Sequence, residues 1–295
     1  MDRVKLCGVG LHSGVAASVT LARAHGSTSL VQRGVRARMH DLRVARTDFG
    51  VSVTNHDGRL RIDLVEHFFA ALAALHAHEG LEANIEGPEF PLLGGGAAEW
   101  LAALETLGLI PRPPTRRITK AARLSFGTST YDLTPGATSE LSVTVEFSGR
   151  LGAQTASFDG CLAHFRDEVA CARTFGFRRD AEQLRNKGRA AHVDPQSVLV
   201  FNDDGSLALP SSPPPRPNEL AAHKLLDLMG DSFLYGGLPQ GTLHAHRPGH
   251  GPNHAMFAEA LARGFARFVT FLGASRLDAK AIREPLLRRR VSASR

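Results

Sequence analysis

The sequence predicts an α+β fold with two units, in each of which helices cover a β-sheet. Both halves of the 295 residues contain strand-like segments with alternating polarity and segments with helical periodicity. Between them lies a stretch typical of a linker, since residues 110–117 contain three prolines and three arginines. We therefore predict an N-terminal unit over residues 1–113 and a C-terminal unit over residues 114–295, both of ordinary domain size.

In the first half, strands are expected to precede and follow a helix. The pattern predicts strands over residues 15–21, 30–35, 51–54 and 81–85. It predicts helices over residues 64–77 and 97–107. Asp63 is a predicted N-cap for the first helix, and Gly108 ends the second.

The second half repeats this alternation of strands and helices. Strands are predicted over residues 117–126, 141–147, 197–201 and 242–246. Helices are predicted over residues 162–172 and 219–235, with a last helix starting near residue 251. Residues 210–217 contain five prolines and read as a loop that enters the long helix.

Composition limits the possible classes of protein. The chain is 43% hydrophobic and has a net charge of +6, which favours an anionic ligand such as a diphosphate. Nucleic-acid binding is not expected, because the basic residues do not interleave with aromatic ones; Arg283 and residues 288–290 are predicted to form a solvated end. The three cysteines form no CxxC pair, which favours a reducing cytoplasm. The first residues lack a signal peptide's apolar region, and the longest apolar run, residues 68–75, is too short to span a bilayer.

His223 and Asp227 are the first candidate metal ligands. They stand four residues apart in the long predicted helix, so both side chains lie on one face and can reach one point. An imidazole nitrogen and a carboxylate oxygen are both good donors for zinc. An HxxxD pattern alone more often marks an exposed helix pair, and that alternative stays open at this point.

Glu66 and His67 are adjacent in an otherwise apolar helix start. The alternative is a satisfied core histidine beside a surface glutamate. In the functional interpretation, His67 is a third zinc ligand and Glu66 is a base beside the attacking water. Three protein ligands with one open position are typical of catalytic zinc.

His250 lies between glycines and prolines that hold the backbone in a turn before a helix, where it could act as an acid. Asp231, one turn beyond Asp227, is the candidate to orient it and raise its pKa, unless it is an ordinary surface residue. Thr174, beside a glycine turn, could donate to an oxyanion, although a helix end with packed phenylalanines is the favoured explanation of the segment taken alone.

Together these segments resemble the zinc-dependent UDP-3-O-acyl-N-acetylglucosamine deacetylase family of lipid A biosynthesis. Six motifs follow one another in the family's order: Gly8–Gly14, Val65–His67, Pro88–Pro91, Ala172–Phe177, His223–Asp231 and Gly249–His250. The resemblance implies two similar domains, each a sheet layered on two helices, with the active site between them. It also implies an insert in the second domain that lines a passage for a fatty acyl chain.

The resemblance further implies hydrolysis of the N-acetyl group of a UDP-linked acylated glucosamine. Its Zn²⁺ ligands would be His67, His223 and Asp227. Its catalytic residues would be Glu66 as base, His250 as acid, Asp231 to orient it, and Thr174 as a donor to the tetrahedral intermediate. Its substrate-binding residues would be Phe175, Lys224 and Arg247. Separately from the resemblance, we expect a cytoplasmic protein; the sequence does not determine the oligomeric state, for which a monomer is the expectation.

One loop departs from the family's pattern. Where the family usually reads Asp-Gly-Ser, this chain has Gly94-Gly95-Gly96, which lack the carboxylate and the hydroxyl. Every predicted metal ligand and catalytic residue is present, which favours an active enzyme. The departure keeps one alternative open: a zinc-retaining but non-catalytic binding protein for acylated nucleotide sugars.

Overall fold

The computed structural model describes residues 2–268 and has the α+β fold that the sequence predicts. The arginine-rich end that was predicted to be solvated lies outside the described residues. The first half contains the helices α1 (Glu66–Leu75) and α2 (Ala98–Thr106). Its strands are β1 (Arg3–Val9), β2 (Ala16–Ser27), β3 (Ser29–Gln32), β4 (Val35–Arg38), β5 (Arg43–Arg46), β6 (Ser52–Thr54), β7 (Arg61–Asp63) and β8 (Glu79–Glu86).

Up to residue 268, the second half contains the helices α3 (Leu162–His164), which continues as a π-helix over Phe165–Val169, α4 (Ala181–Asn186), α5 (Glu219–Ser232) and α6 (His250–Ala262). Its strands are β9 (Arg116–Ile118), β10 (Ala122–Phe126), β11 (Ser129–Thr134), β12 (Ser139–Glu146), β13 (Ala153–Phe158), β14 (Thr174–Phe177), β15 (Val198–Phe201), β16 (Pro239–His246) and β17 (Ala266–Phe268). We propose that the boundary between the two units lies at residue 113, in the segment that connects α2 to β9.

The main sheets of the two halves share one five-stranded order, and β9 and β17 extend the second sheet beside β16. The first has the order β1-β2-β8-β3-β4, and the second has β10-β11-β16-β12-β13. In each, one strand near the end of its half (β8 or β16) lies parallel to one neighbour and antiparallel to the other. A helix precedes and another follows that strand: α1 and α2 around β8, α5 and α6 around β16. Both halves therefore repeat one α+β unit.

Each half also carries a small addition to this unit. In the first half, β5, β6 and β7 form a three-stranded antiparallel sheet. In the second half, β14 and β15 pair in parallel, with α4 between them in the chain. Parallel neighbours need such a crossover connection, so β14–α4–β15 is a βαβ unit.

Helices α1 and α5 pack against each other where the two halves meet. All ten residues of α1 are buried, which suits its run of alanine, leucine and phenylalanine. A Cβ on Gly230 of α5 would lie 2.1 Å from the carbonyl oxygen of Glu66, so the two backbones touch there. This contact fixes the first turn of α1 on the last turn of α5.

Three local predictions were wrong. Asp63 belongs to β7 and accepts a hydrogen bond from Arg46, while Val65 occupies the N-cap position of α1. The predicted strand over residues 30–35 is the hairpin β3–β4, because Arg33 and Gly34 adopt positive φ angles and turn the chain. The predicted strand over residues 117–126 is two strands, β9 and β10.

Candidate metal centre and substrate cavity

The three predicted metal ligands meet at the junction of α1 and α5. His67 comes from the first turn of α1, and His223 and Asp227 lie one turn apart on α5. Their donor atoms all lie within 4.8 Å of one another, and all three residues are buried. The imidazole rings of His67 and His223 are nearly perpendicular, with 5.1 Å between their centroids. Two imidazoles and one carboxylate are a donor set that fits a divalent cation such as Zn²⁺.

Neighbouring groups orient the two α5 side chains. His223 Nδ1–H donates to the carbonyl oxygen of Ala172 at 3.0 Å, which leaves Nε2 free, 3.5 Å from Asp227 Oδ1. Such a bond to the second ring nitrogen fixes the tautomer and direction of a metal-binding histidine. Lys224 Nζ donates to Asp227 Oδ2 at 2.8 Å.

The two histidines are kept neutral, as metal binding requires. Burial, and then the nearby His223, lowers the pKa of His67 to about 3. Burial also lowers the pKa of His223, against the attraction of Asp227. For Asp227, burial raises the pKa, but Lys224 and the surrounding histidines outweigh it and hold the pKa well below its usual range.

The buried carboxyl group of Glu66 lies beside this cluster, and its pKa is close to neutral pH. Its Oε2 accepts the backbone N–H of Val51 at 2.9 Å, and its Oε1 lies 3.9 Å from His250 Nε2. Burial, with a further contribution from Asp227, raises the pKa of Glu66 to about 7, although His250 acts in the opposite direction. A carboxyl group with this pKa can accept and release a proton near neutral pH. The interpretation of Glu66 as a surface residue is wrong, since it is only 3% exposed.

Asp231 contacts the Nδ1 side of the His250 ring. Asp231 is buried, so the interpretation of it as an ordinary surface residue is wrong. Asp231 Oδ2 lies 3.0 Å from His250 Nδ1 and also accepts Asn253 Nδ2–H at 2.8 Å. Burial lowers the pKa of His250, but Asp231, Asp227 and Glu66 outweigh it and raise the pKa to about 9. Correspondingly, burial raises the pKa of Asp231, and His250 more than compensates, bringing it to about 2. His250 is therefore a cation at neutral pH.

A cavity of about 660 Å³ opens from this cluster. One end is polar and includes Glu66, His67, His223, Asp227, Lys224 and His250. The βαβ unit supplies an apolar part, lined by Phe177, Ala181, Leu184, Val198 and Val200. Its volume lies within the usual range for small-molecule sites, and the division into a polar end and an apolar part suits an amphipathic ligand.

The remaining predicted residues differ in where they lie. Thr174 and Phe175, at the start of β14, line the cavity. The Phe175 ring lies edge-on to the ring of His223 at 5.9 Å, and Lys224 Nζ is 5.4 Å from the Phe175 centroid. Arg247 is exposed, lies outside the cavity lining, and pairs with Glu146.

Sequence reasoning gave no role to His12, which lines the cavity near Glu66. Its Nε2–H donates to the carbonyl oxygen of Phe49 at 2.6 Å, while the backbone N–H groups of His12 and Ser13 donate to the buried carboxylate of Glu89. Burial, and then Arg189, lowers the pKa of His12 to about 4. The sequence does contain a signal for this residue, because His12 and Glu89 lie in two of the motifs on which the family resemblance rests, Gly8–Gly14 and Pro88–Pro91.

A buried His₂Asp cluster beside a carboxyl group and a charged imidazole is typical of metal-dependent hydrolases. A family model described as UDP-3-O-acyl N-acetylglycosamine deacetylase matches residues 1–262. Curated UDP-3-O-acyl-N-acetylglucosamine deacetylases of Brucella melitensis, Brucella ovis and Brucella canis are each 33% identical over 258 residues, covering 84% of this chain and 88% of theirs. The chain belongs to the UDP-3-O-acyl N-acetylglycosamine deacetylase family. Among residues 2–268, no helix has both the length and the apolar character needed to cross a lipid bilayer.

Proposed function

We propose that this protein removes the N-acetyl group of a UDP-3-O-acyl-N-acetylglucosamine, releasing acetate and a free amine, as a step of lipid A biosynthesis. The observation that carries the proposal is the meeting of His67, His223 and Asp227 beside Glu66 and His250 at the polar end of one cavity. Family membership supports the substrate class.

We propose Zn²⁺ as the cation held by His67, His223 and Asp227. Two neutral imidazoles and a carboxylate suit zinc, and three protein ligands leave a coordination position open. When bound there, Zn²⁺ supplies a Lewis acid that lowers the pKa of water to about 7 and polarises the amide carbonyl.

Glu66 then acts as the general base. The N–H of Val51 holds Oε2, so Oε1 is the atom that faces the reacting groups, 3.9 Å from His250 Nε2. Glu66 accepts a proton from the attacking water at Oε1, and burial raises its pKa enough to make it an effective base at neutral pH.

His250 stabilises the negative charge of the oxyanion and protonates the leaving nitrogen. Its charged imidazole, stabilised by Asp231, attracts the oxyanion that forms when water attacks the amide carbonyl. Its Nε2–H then donates a proton to the leaving nitrogen, which departs as an amine. Thr174, at the cavity wall, supplies a hydroxyl donor to the same oxyanion.

We assign the sugar, the diphosphate, the nucleotide and the acyl chain of the substrate to the cavity and its rim. Phe175 and Lys224 are proposed to contact the sugar and the diphosphate. Arg247 lies further out and would bind an anionic group by exchanging its partner Glu146, so we assign it to the nucleotide end. The apolar part of the cavity, formed by the βαβ unit, is proposed to take the 3-O-acyl chain, since burial of methylene groups stabilises such a complex.

We further propose that the protein acts in the cytoplasm as a monomer, with the nucleotide sugar as its partner and without nucleic acid. Nothing in residues 2–268 favours the non-catalytic alternative, because the base, the acid and the three ligands all meet.

The test is acetate release from UDP-3-O-acyl-N-acetylglucosamine, measured with metal content, before and after treatment with a chelator. We expect Glu66→Ala to keep the metal and lose most turnover, whereas His67→Ala loses both. His40→Ala, a change at an exposed histidine, is the matched control and should keep both. Full activity of Glu66→Ala would remove the proposed base, and activity that survives complete metal removal would overturn the mechanism.

A further inference from the structure

The glycine-rich loop between β8 and α2 is bonded to the segment that leads into β14. The carbonyl oxygen of Gly95 accepts the backbone N–H of Thr174 at 2.8 Å. The N–H of Ala97 donates to the carbonyl oxygen of Ala170 at 2.7 Å. A loop from the first half of the chain therefore holds residues 170–174 of the second half at both ends.

The loop can approach residues 170–174 this closely because residue 96 is a glycine, and Gly95 allows a similar approach to the segment before β15. A Cβ on Gly96 would lie 2.4 Å from the carbonyl oxygen of Ala170 and 2.9 Å from that of Ala172. Gly95 has a φ of +85°, and a Cβ there would lie 1.9 Å from the carbonyl oxygen of Ser197. These obstacles are backbone atoms in a buried contact, so they cannot swing aside as the end of a side chain can.

One of these carbonyl groups orients a metal ligand. The oxygen of Ala172 accepts Nδ1–H of His223, and this bond directs Nε2 toward His67 and Asp227. Two residues further on, Thr174 lines the cavity beside the same cluster. The position of residues 170–174 therefore sets both the direction of one imidazole and the place of one hydroxyl donor.

We propose that Gly96 is a positioning residue for the metal centre. It lets the loop pack on residues 170–174 and so holds the Ala172 carbonyl against His223. A side chain at position 96 pushes this carbonyl away, and the imidazole then loses its fixed direction and binds the cation more weakly. The inference rests on the metal site of the proposed function. It also explains the glycine in place of the family's serine at position 96, because a backbone contact occupies the space of that side chain.

The experiment compares Gly96→Ala and Gly96→Ser with Gly94→Ala in the full chain. Position 94 is a matched control in the same loop, because the atoms nearest to a Cβ there belong to the carboxylate of Glu99, an exposed and flexible side chain. Zn²⁺ affinity is measured by competition with a chelator, and thermal unfolding of the metal-free proteins is recorded in parallel. We expect both Gly96 variants to bind Zn²⁺ about 10- to 100-fold more weakly and Gly94→Ala to stay within about twofold.

The outcomes separate this inference from the proposed function. Equal Zn²⁺ affinity in the Gly94 and Gly96 variants would overturn the positioning role and leave the proposed function standing. Failure of both Gly96 variants to fold, beside a folded Gly94→Ala, would also overturn it, because the glycine would then serve the fold as a whole. Failure of the unaltered protein to bind Zn²⁺ would overturn the proposed function, and the inference with it.

Discussion

Replacing Asp231 with asparagine removes the negative charge behind His250 while nearly keeping the shape of the side chain. The carboxylate is buried, and its Oδ2 lies 3.0 Å from His250 Nδ1. Burial lowers the pKa of His250, and Asp231 makes the largest contribution in the opposite direction, ahead of Asp227 and Glu66. The variant therefore tests which group keeps the imidazole charged.

The size of the effect follows from the two pKa values. With a pKa of about 9, roughly 97% of His250 is protonated at pH 7.5. Without Asp231, burial is expected to bring the pKa to the ordinary value of 6.5 or below, where about 9% or less is protonated at the same pH. If turnover requires the protonated imidazole, kcat at pH 7.5 falls at least about tenfold, or about 1.4 kcal/mol in activation free energy, with little change in KM.

The assay is the pH dependence of kcat for acetate release. The proposed base Glu66 and acid His250 predict a bell-shaped profile, whose alkaline limb belongs to His250. A bound dication repels a charged imidazole, so this limb should lie below pH 9 in the metal-loaded protein, and the measured quantity is its difference between the two proteins. We expect Asp231→Asn to move the alkaline limb down by at least about one pH unit.

The control is Asp132→Asn on β11, where a partly exposed aspartate pairs with Arg123. This change should leave the profile as it is. If Asp231→Asn lowers kcat but leaves the alkaline limb in place, Asp231 does not set the charge of His250. A kcat that stays the same at pH 7.5 would refute the reasoning altogether.

Three further predictions concern stability and the cavity. The pKa of His250 is raised from 6.5 to about 9, so its contribution to stability is fully present below pH 6.5 and is lost as the pH rises through 9. Chelator-treated protein should therefore lose unfolding free energy between about pH 7 and 9. A urea midpoint that stays the same over this range would contradict the raised pKa. Glu219→Ala leaves the buried guanidinium of Arg173 without its carboxylate and should lower the free energy of unfolding, measured in urea, by about 3–5 kcal/mol. A loss under about 1 kcal/mol would mean that the Ser211 hydroxyl and the Pro213 carbonyl are sufficient partners for the guanidinium. Ala181→Trp fills the apolar part of the cavity and should raise KM for substrates with long 3-O-acyl chains but not for substrates with short ones. An equal rise in KM for both would mean that the acyl chain binds elsewhere.

The sequence predicted the helices better than the strands. Helices α1 and α5 follow from apolar residues at helical spacing, and the structure contains both. Strands such as β13 and β14 were missed, because Ala153–Phe158 is largely small and polar, and Thr174–Phe177 is a short run whose residues are all half-buried. These segments become strands by pairing, β13 with β12 across a short connection and β14 with β15 on the far side of α4. Pairing of this kind leaves little trace in the local pattern.

For the site, residue types and spacing predicted side chains that the structure brings together, but not the contacts that hold them there. The four-residue spacing of His223 and Asp227 predicts one shared helix face, and the structure has it. The approach of His67 to that face depends on Gly230, where two helix backbones touch, and local periodicity carries no information on such a contact. The carbonyl of Ala172 is harder still to predict, because any residue supplies a carbonyl group.

Residue type alone also does not separate the histidines by role, and the surrounding charges do. His67 and His223 share a single carboxylate, Asp227, whose charge is already engaged by Lys224, so burial prevails and both imidazoles stay neutral. His250 is nearly as buried, and its Nδ1 contacts a second carboxylate, that of Asp231, on the side away from the cluster, so this imidazole is charged. Asp231 also contacts His254 and Asn253, but not the two candidate ligands. A metal ligand must be neutral and a proton donor must carry its proton. The placement of two aspartates one turn apart on α5 is therefore what separates the two neutral imidazoles that we propose as ligands from the charged imidazole that we propose as the acid.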